Sequence, residues 1–156
     1  MGRIFEAMQG FFDGDGWHPE ALDGRTVLRM SFVGDSAQWI CFAQAREAQR
    51  QALFYSVAPL KVPADRRGAV AEFITRANYG MILGNFELDF EDGEVRYKTS
   101  VDLDALLIPD GDEGLHAAFK AMAYANVLST DRYMPGLMAV GFGDVSPAAA
   151  LKDAES

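Results

Sequence analysis

VPADRRGAVAEFITRANYGMILGNFELDFEDGEVRYKTSV, residues 62–101, reads as a helix, a tight hairpin and a return strand. Pro63 suits a helical first turn, because its φ is already helical and its missing N–H would have had no partner there; Asp65 adds negative charge at the positive end of the helix dipole. Val70, Phe73, Ile74, Ala77 and Met81 follow at helical spacing and form one apolar stripe, which sends Arg66, Arg67, Glu72 and Arg76 toward water. Gly80 and Gly84 are its two natural stops. The period then changes to two, with Phe86, Leu88 and Phe90 on one side and Glu87, Asp89 and Glu91 on the other.

Asp92-Gly93 tolerates the positive φ angles of a two-residue turn, so the spacing predicts a return strand in a defined register. Glu91 then faces Glu94, Phe90 faces Val95, Asp89 faces Arg96, Leu88 faces Tyr97 and Glu87 faces Lys98. One face is apolar throughout and the other carries two opposite-charge pairs.

The run Val62-Pro63-x-x-Arg66-Arg67, then Phe73 with Arg76-Ala77-Asn78, Leu83-Gly84-x-Phe86-Glu87-x-Asp89 and Asp92-Gly93-Glu94-x-Arg96-Tyr97 resembles the signature of the YbjN-type domain, with Tyr55-Ser56 and Pro59 before it. That family is labelled a bacterial sensory transduction regulator. The resemblance extends over about Trp17 to Leu151 and implies a fold similar to type III secretion chaperones, which are small, acidic, usually dimeric α+β proteins that bind other polypeptides. It carries over no catalytic residues.

The 156 residues, 49% hydrophobic and 24% charged, fit one domain across 1–156 with a core large enough to fold without staples. A formal charge of −9 repels phosphate backbones and anionic lipid surfaces, so neither nucleic acid nor membrane is an expected partner. Cys41, a single cysteine in an apolar strand, reads as a buried thiol in a reducing compartment. The first residues lack a secretory pattern and no apolar run approaches the ~20 residues of a span, so a cytoplasmic protein is expected.

Ile4, Phe5, Met8, Phe11 and Phe12 share a face of an amphipathic helix that ends in Asp13-Gly14-Asp15-Gly16. Asp13-x-Asp15 lacks the glycine and glutamate of a calcium loop, since His18 and Gly24 stand at those positions, so it reads as a solvated turn. Trp17 to Leu22 reads as a short edge strand, and Asp23-Gly24 as a hairpin turn into alternating Leu28, Met30 and Phe32. Gln38 to Ala45 puts Trp39 and Cys41 on one face and Ile40 and Phe42 on the other, both at least partly covered. The polar run Arg46 to Gln51 connects it to a strand over Ala52 to Ala58.

Asp102 to Pro109 either extends the return strand or forms a turn. Asp110-Gly111-Asp112-Glu113 is an acidic helix entrance. Leu115, Phe119, Met122 and Asn126 mark one face of the helix that follows. Ser129-Thr130-Asp131 can cap a further helix from Arg132 to Val140, with Pro135 tolerated in its first turn. Gly141-Phe142-Gly143 breaks that helix, and Ser146-Pro147 opens a helical tail within 146–156. The fold class is α+β: an antiparallel sheet of five to six strands with flanking helices.

Catalytic sets are absent from the sequence. His18 and His116 belong to no His-x-x-x-His pair, there is no Gly-x-Ser-x-Gly elbow, one cysteine cannot build a zinc site, and the glycine pairs have neither phosphate-loop lysine nor dinucleotide context. Asp102, Asp104, Asp110 and Asp112 could hold a hard cation only if the fold gathered them. The expectation is therefore a non-enzymatic, homodimeric regulatory or chaperone-like module without cofactor or metal, whose partner is an unidentified protein or peptide. The alternatives are a small-molecule sensor with an apolar pocket between sheet and helices, and a carboxylate-metal enzyme. Tyr133, Met134, Leu137, Met138 and Phe142 exceed one helical stripe and are the expected partner or dimer surface.

Overall fold

The computed structural model describes residues 2–106 and 111–156. Among them, four helices and six strands form two layers. The strands are β1 (Glu20–Ala21), β2 (Val27–Val33), β3 (Gln38–Arg46), β4 (Gln51–Val57), β5 (Asn85–Leu88) and β6 (Val95–Asp102). They form one antiparallel sheet in the order β1-β2-β3-β4-β6-β5. The helices are α1 (Arg3–Gly14), α2 (Arg67–Asn78), α3 (Glu113–Phe142) and α4 (Pro147–Glu155). The α+β class and antiparallel layer expected from the sequence are both present.

Period-two alternation sorts the strands into a covered and an open face. Leu28, Met30, Trp39, Cys41, Phe54 and Tyr97 are buried beneath the helices. α1 meets them with Phe5, Met8 and Phe12, α2 with Val70, Phe73 and Ile74, and α3 with Phe119, Val127 and Leu137. No side chain caps α1 from its own N-terminus; Glu47, between β3 and β4, accepts from the N–H groups of Ile4 (3.3 Å) and Phe5 (2.8 Å) and brings negative charge to the dipole. The predicted edge strand over Trp17 to Leu22 contracts to two residues, because Trp17 leaves the strand path to pack between Phe12, Phe32 and Phe54.

The β5–β6 register departs from the expected one by two residues. Phe86 faces Tyr97, Glu87 faces Arg96 and Leu88 faces Val95. The strands close at Asp89 and Glu94, so Phe90 to Gly93 form a four-residue turn and Phe90 lies in solvent rather than opposite Val95. Four hydrogen bonds select the longer turn. Asp89 and Asp92 accept from the N–H groups of Glu91 and Glu94 (both 2.9 Å), Val62 N–H donates to Gly93 O (2.8 Å), and Arg67 donates to Phe90 O (3.0 Å). Arg67, expected in water, is thus built into the turn. Gly93 sits at φ 81° against the Val62 backbone, where a Cβ has no room.

The two predicted C-terminal helices are one. α3 runs unbroken for 30 residues through Ser129-Thr130-Asp131 and Pro135. Thr130 Oγ1 donates back to Asn126 O (2.8 Å) instead of capping. Asp131 points away from its own helix and accepts from Asp35 N–H, Ser36 N–H (both 3.0 Å) and Ser36 Oγ (2.7 Å), tying down the β2–β3 turn. Pro135 has no N–H for Asp131 O, and Ser36 Oγ donates to that carbonyl (3.1 Å) in its place. The long helix is therefore held by the β2–β3 turn, 95 to 96 residues earlier in the chain.

β6 extends through Asp102, which settles part of the ambiguous stretch as strand; its end, with Asp110 of the acidic entrance, lies outside the described residues. Ser146 caps α4 as expected, accepting from Ala149 N–H at 3.2 Å.

Candidate functional site

Two surfaces of this fold are built of apolar side chains that the described chain leaves uncovered. The first is the open face of the sheet. Arg29, Phe42, Tyr55 and Lys98 stand in one cross-strand row, and Ser31, Ile40, Val57, Arg96 and Glu87 in the next. The apolar members are half-buried only by their neighbours, since every helix packs on the opposite side. The twist of the sheet makes this face a shallow trough, about 680 Å³ around Phe42 and Tyr55 and about 590 Å³ around Ile40 and Val57. Its rims carry charge. Glu87 accepts from Arg96 (2.8 Å) and Lys98 (3.2 Å), and the Arg96 guanidinium lies 4.3 Å from the centre of the Tyr55 ring. Burial alone would raise the Glu87 carboxyl, but its bonds to Lys98 and Arg96 outweigh that and hold it below the usual range.

The second surface is a cleft of about 480 Å³ between the end of the sheet and α3. Its floor is Ala118, Ala121, Met122 and Ala125 of α3 with Thr99 and Val101 of β6; its outer lip is Ile82 and Leu83. Small residues on the helix floor and the end of β5 at Asn85, opposite Lys98, leave the space open. Ile82 is 90% exposed and Leu83 63%, and Tyr79 in the same connection is 91% exposed. Large apolar side chains grouped this way in water mark an interaction surface more often than single exposed ones do. Neither surface was legible as a site. The alternation of β3 and β4 was plain, but only the one-sided placement of the helices shows that Ile40 and Phe42 lack a covering layer.

The expected partner surface on the C-terminal helices is largely dismantled by the packing. Tyr133, Met134 and Leu137 are core residues, Met138 is half-buried, and Phe142 alone is exposed. The correction has a physical cause: α3 packs on the sheet and also against α1, α2 and α4, with Phe73 of α2 and Ala150 of α4 both against Gly136, so it buries more than one stripe. Tyr133 donates across to Glu155 of α4 at 2.8 Å.

The titratable groups form no catalytic constellation among the described residues, where no cluster of three metal-ligating side chains occurs either. Asp102 accepts from Asp104 N–H (3.0 Å), Asp104 pairs with Arg50, and Asp112 lies 3.9 Å from Arg3, so these three serve turns and ion pairs. Asp15, in the sequence segment read against a calcium loop, accepts from Tyr124 (2.6 Å) and Trp17 (3.0 Å), bonds that hold its carboxyl low. Burial pushes the Cys41 thiol up to about 12, beyond what its contact with Ser56 offsets, so it stays protonated and unreactive. His116 packs on Phe11, and His18 lies on the surface.

A family model described as "YbjN: Putative bacterial sensory transduction regulator" matches residues 5–111. No curated protein matches the chain. Among solved structures, one titled "Crystal structure of YbjN, a putative transcription regulator from E. coli" superposes with a TM-score of 0.61 at 11% identity, covering 84% of this chain and 91% of that one. At that identity the likeness concerns the fold. Among the described residues no helix is long and apolar enough to cross a membrane.

Proposed function

Because this chain belongs to the YbjN family, we propose that it is a non-enzymatic, chaperone-like regulatory module of the bacterial cytoplasm that acts by holding a segment of another polypeptide. The observation that carries the reading is the apolar cleft between β6 and α3, with Ile82 and Leu83 exposed at its lip. An apolar side chain entering it would leave water against Met122 and Val101, at about 25 cal/mol per Å² buried. The strand end beside it offers main-chain groups for an extended segment, as in strand addition to a sheet edge.

A second reading uses the same cleft, because about 480 Å³ is also the size of a small-molecule site. The protein would then be a sensor domain whose ligand is a compact apolar molecule.

An array of apolar and polar peptides probed with the purified protein tests the first reading. Apolar peptides are expected to bind at least tenfold more tightly than polar ones, with binding lost in Ala121→Trp, which fills the cleft, and in Ile82→Asp. Binding that survives both substitutions overturns the site. The fluorescent probe anilinonaphthalene sulfonate separates the readings: cleft-dependent fluorescence without peptide binding supports the sensor.

A further inference from the structure

We infer, resting on the peptide reading of the cleft, that the captured segment docks as a short antiparallel strand on the free edge of β6 and carries a Lys or Arg immediately before a bulky apolar residue. β6 pairs with β4 along Arg96 to Asp102, but with β5 only along Val95 to Lys98. The covered face keeps the rest of that edge open. Tyr97 donates from its hydroxyl to Leu83 O (2.6 Å), which draws the chain out of the sheet plane as it enters β5. Gly84 makes the bend at φ 79°, where a Cβ would collide with Lys98 O and the Tyr97 ring.

Hydrogen-bond alternation fixes what the edge offers. Asp89 N–H donates to Glu94 O on the β5 side, whereas Ala58 N–H donates to Val95 O on the β4 side. In steps of two along the antiparallel ladder, Tyr97, Thr99 and Val101 bond toward β4, and Arg96, Lys98, Ser100 and Asp102 bond away from it. Arg96 and Lys98 meet β5; the N–H and C=O of Ser100 and Asp102 have no partner among the described residues. An antiparallel segment of three residues laid there exchanges main-chain bonds with both. Its middle residue lies opposite Val101, whose side chain faces α3, so its own side chain enters the cleft between Ile82, Leu106 and the helix floor.

Charge decides the composition. The one charged residue lining the cleft, Lys98, turns to the open face to pair with Glu87, so nothing there would compensate a buried charge and the middle residue is apolar. Ala118, Ala121 and Ala125 leave room for one the size of leucine or phenylalanine. The first residue lies beside Asp102, an exposed carboxylate without a cation partner among the described residues, in a chain of net charge −9, so Lys or Arg is favoured there. The third, beside Ser100 in solvent, is unconstrained.

Fluorescence anisotropy with labelled peptides that carry Lys-Leu-Thr in a fixed polar frame tests this. N-methylation of the threonine nitrogen, which faces Ser100 O, should weaken binding about tenfold, while N-methylation of the leucine nitrogen, which faces away from β6, should not. Glu-Leu-Thr and the reversed Thr-Leu-Lys should each bind about threefold more weakly at low salt. Ser100→Pro should reproduce the tenfold loss with unchanged circular dichroism, because proline is tolerated where a strand N–H faces outward; should that variant unfold, the two methylated peptides still decide. Asp102→Lys should invert the preference between Lys-Leu-Thr and Glu-Leu-Thr. Binding that Ala121→Trp abolishes but that threonine N-methylation leaves unchanged overturns the docked strand and leaves the peptide reading standing. A preference for lysine that survives Asp102→Lys overturns the assigned sequence, and no binding by any of the peptides overturns both readings.

Discussion

Phe54 and Tyr55 are neighbours in β4 and belong to different environments. Phe54 is fully buried among Phe12 and Trp17, while Tyr55 is half-exposed beneath Arg96. The covered face also contains a polar centre. Asn126 of α3 donates to Phe54 O (2.9 Å), Tyr97 O (3.0 Å) and Thr99 Oγ1 (3.2 Å), and accepts from Ser56 Oγ (2.6 Å). One side chain therefore stitches the long helix to β4 and β6 with no access to water. The open face has nothing comparable: its polar groups pair at the rims, in solvent. The covered face is where the chain is committed to folding, and the open face carries no comparable commitment.

The comparison breaks if stability does not follow it. Phe54→Ala should cost ~3–5 kcal/mol by denaturant titration, as large-to-small changes in a packed core do. Asn126→Ala should follow at ~3 kcal/mol, because it removes the acceptor of Ser56 Oγ and the side-chain donor to Phe54 O, Tyr97 O and Thr99 Oγ1 in the dry interior. An intermediate loss of ~1 kcal/mol is expected for Asp131→Ala, which frees the β2–β3 turn from α3. This last effect is also pH-dependent. Burial would raise the Asp131 carboxyl, but the bonds from Ser36 and Asp35 hold it below its ordinary value. Its contribution is therefore present above the unfolded value near ~3.9 and disappears as pH falls through the lower folded value. The stability gap between wild type and Asp131→Ala, full at neutral pH, should close in acid.

Tyr55→Ala should cost least, about 1 kcal/mol or under. A loss matching that of Phe54→Ala would erase the distinction between the faces. Cys41 sharpens it from the covered side: a thiol reagent should modify the protein only as fast as it unfolds, since burial keeps the thiolate from forming.

By itself the sequence determined the amphipathic stripes of α1 and α2, the alternation of β2, β3, β4 and β6 and the Ser146 cap, because each depends on residues within a few positions of one another. The β5–β6 register lay beyond it. A shift of two residues preserves alternation, so Phe86 opposite Tyr97 and Leu88 opposite Tyr97 satisfy the same pattern, and the choice fell to Arg67 and Val62 holding a longer turn. The single long α3 was equally hidden. Ser129-Thr130-Asp131 and Pro135 are local stop signals, and only the arrival of Ser36 gives Asp131 and the carbonyl that Pro135 leaves open their partners. The candidate surfaces follow the same division. An apolar side chain is written in the sequence, but whether another layer covers it is decided by where the elements dock: Tyr133, Met134 and Leu137 went into the core, with Tyr133 tied to α4, while among the described residues no helix lies over Ile40, Phe42 and Tyr55.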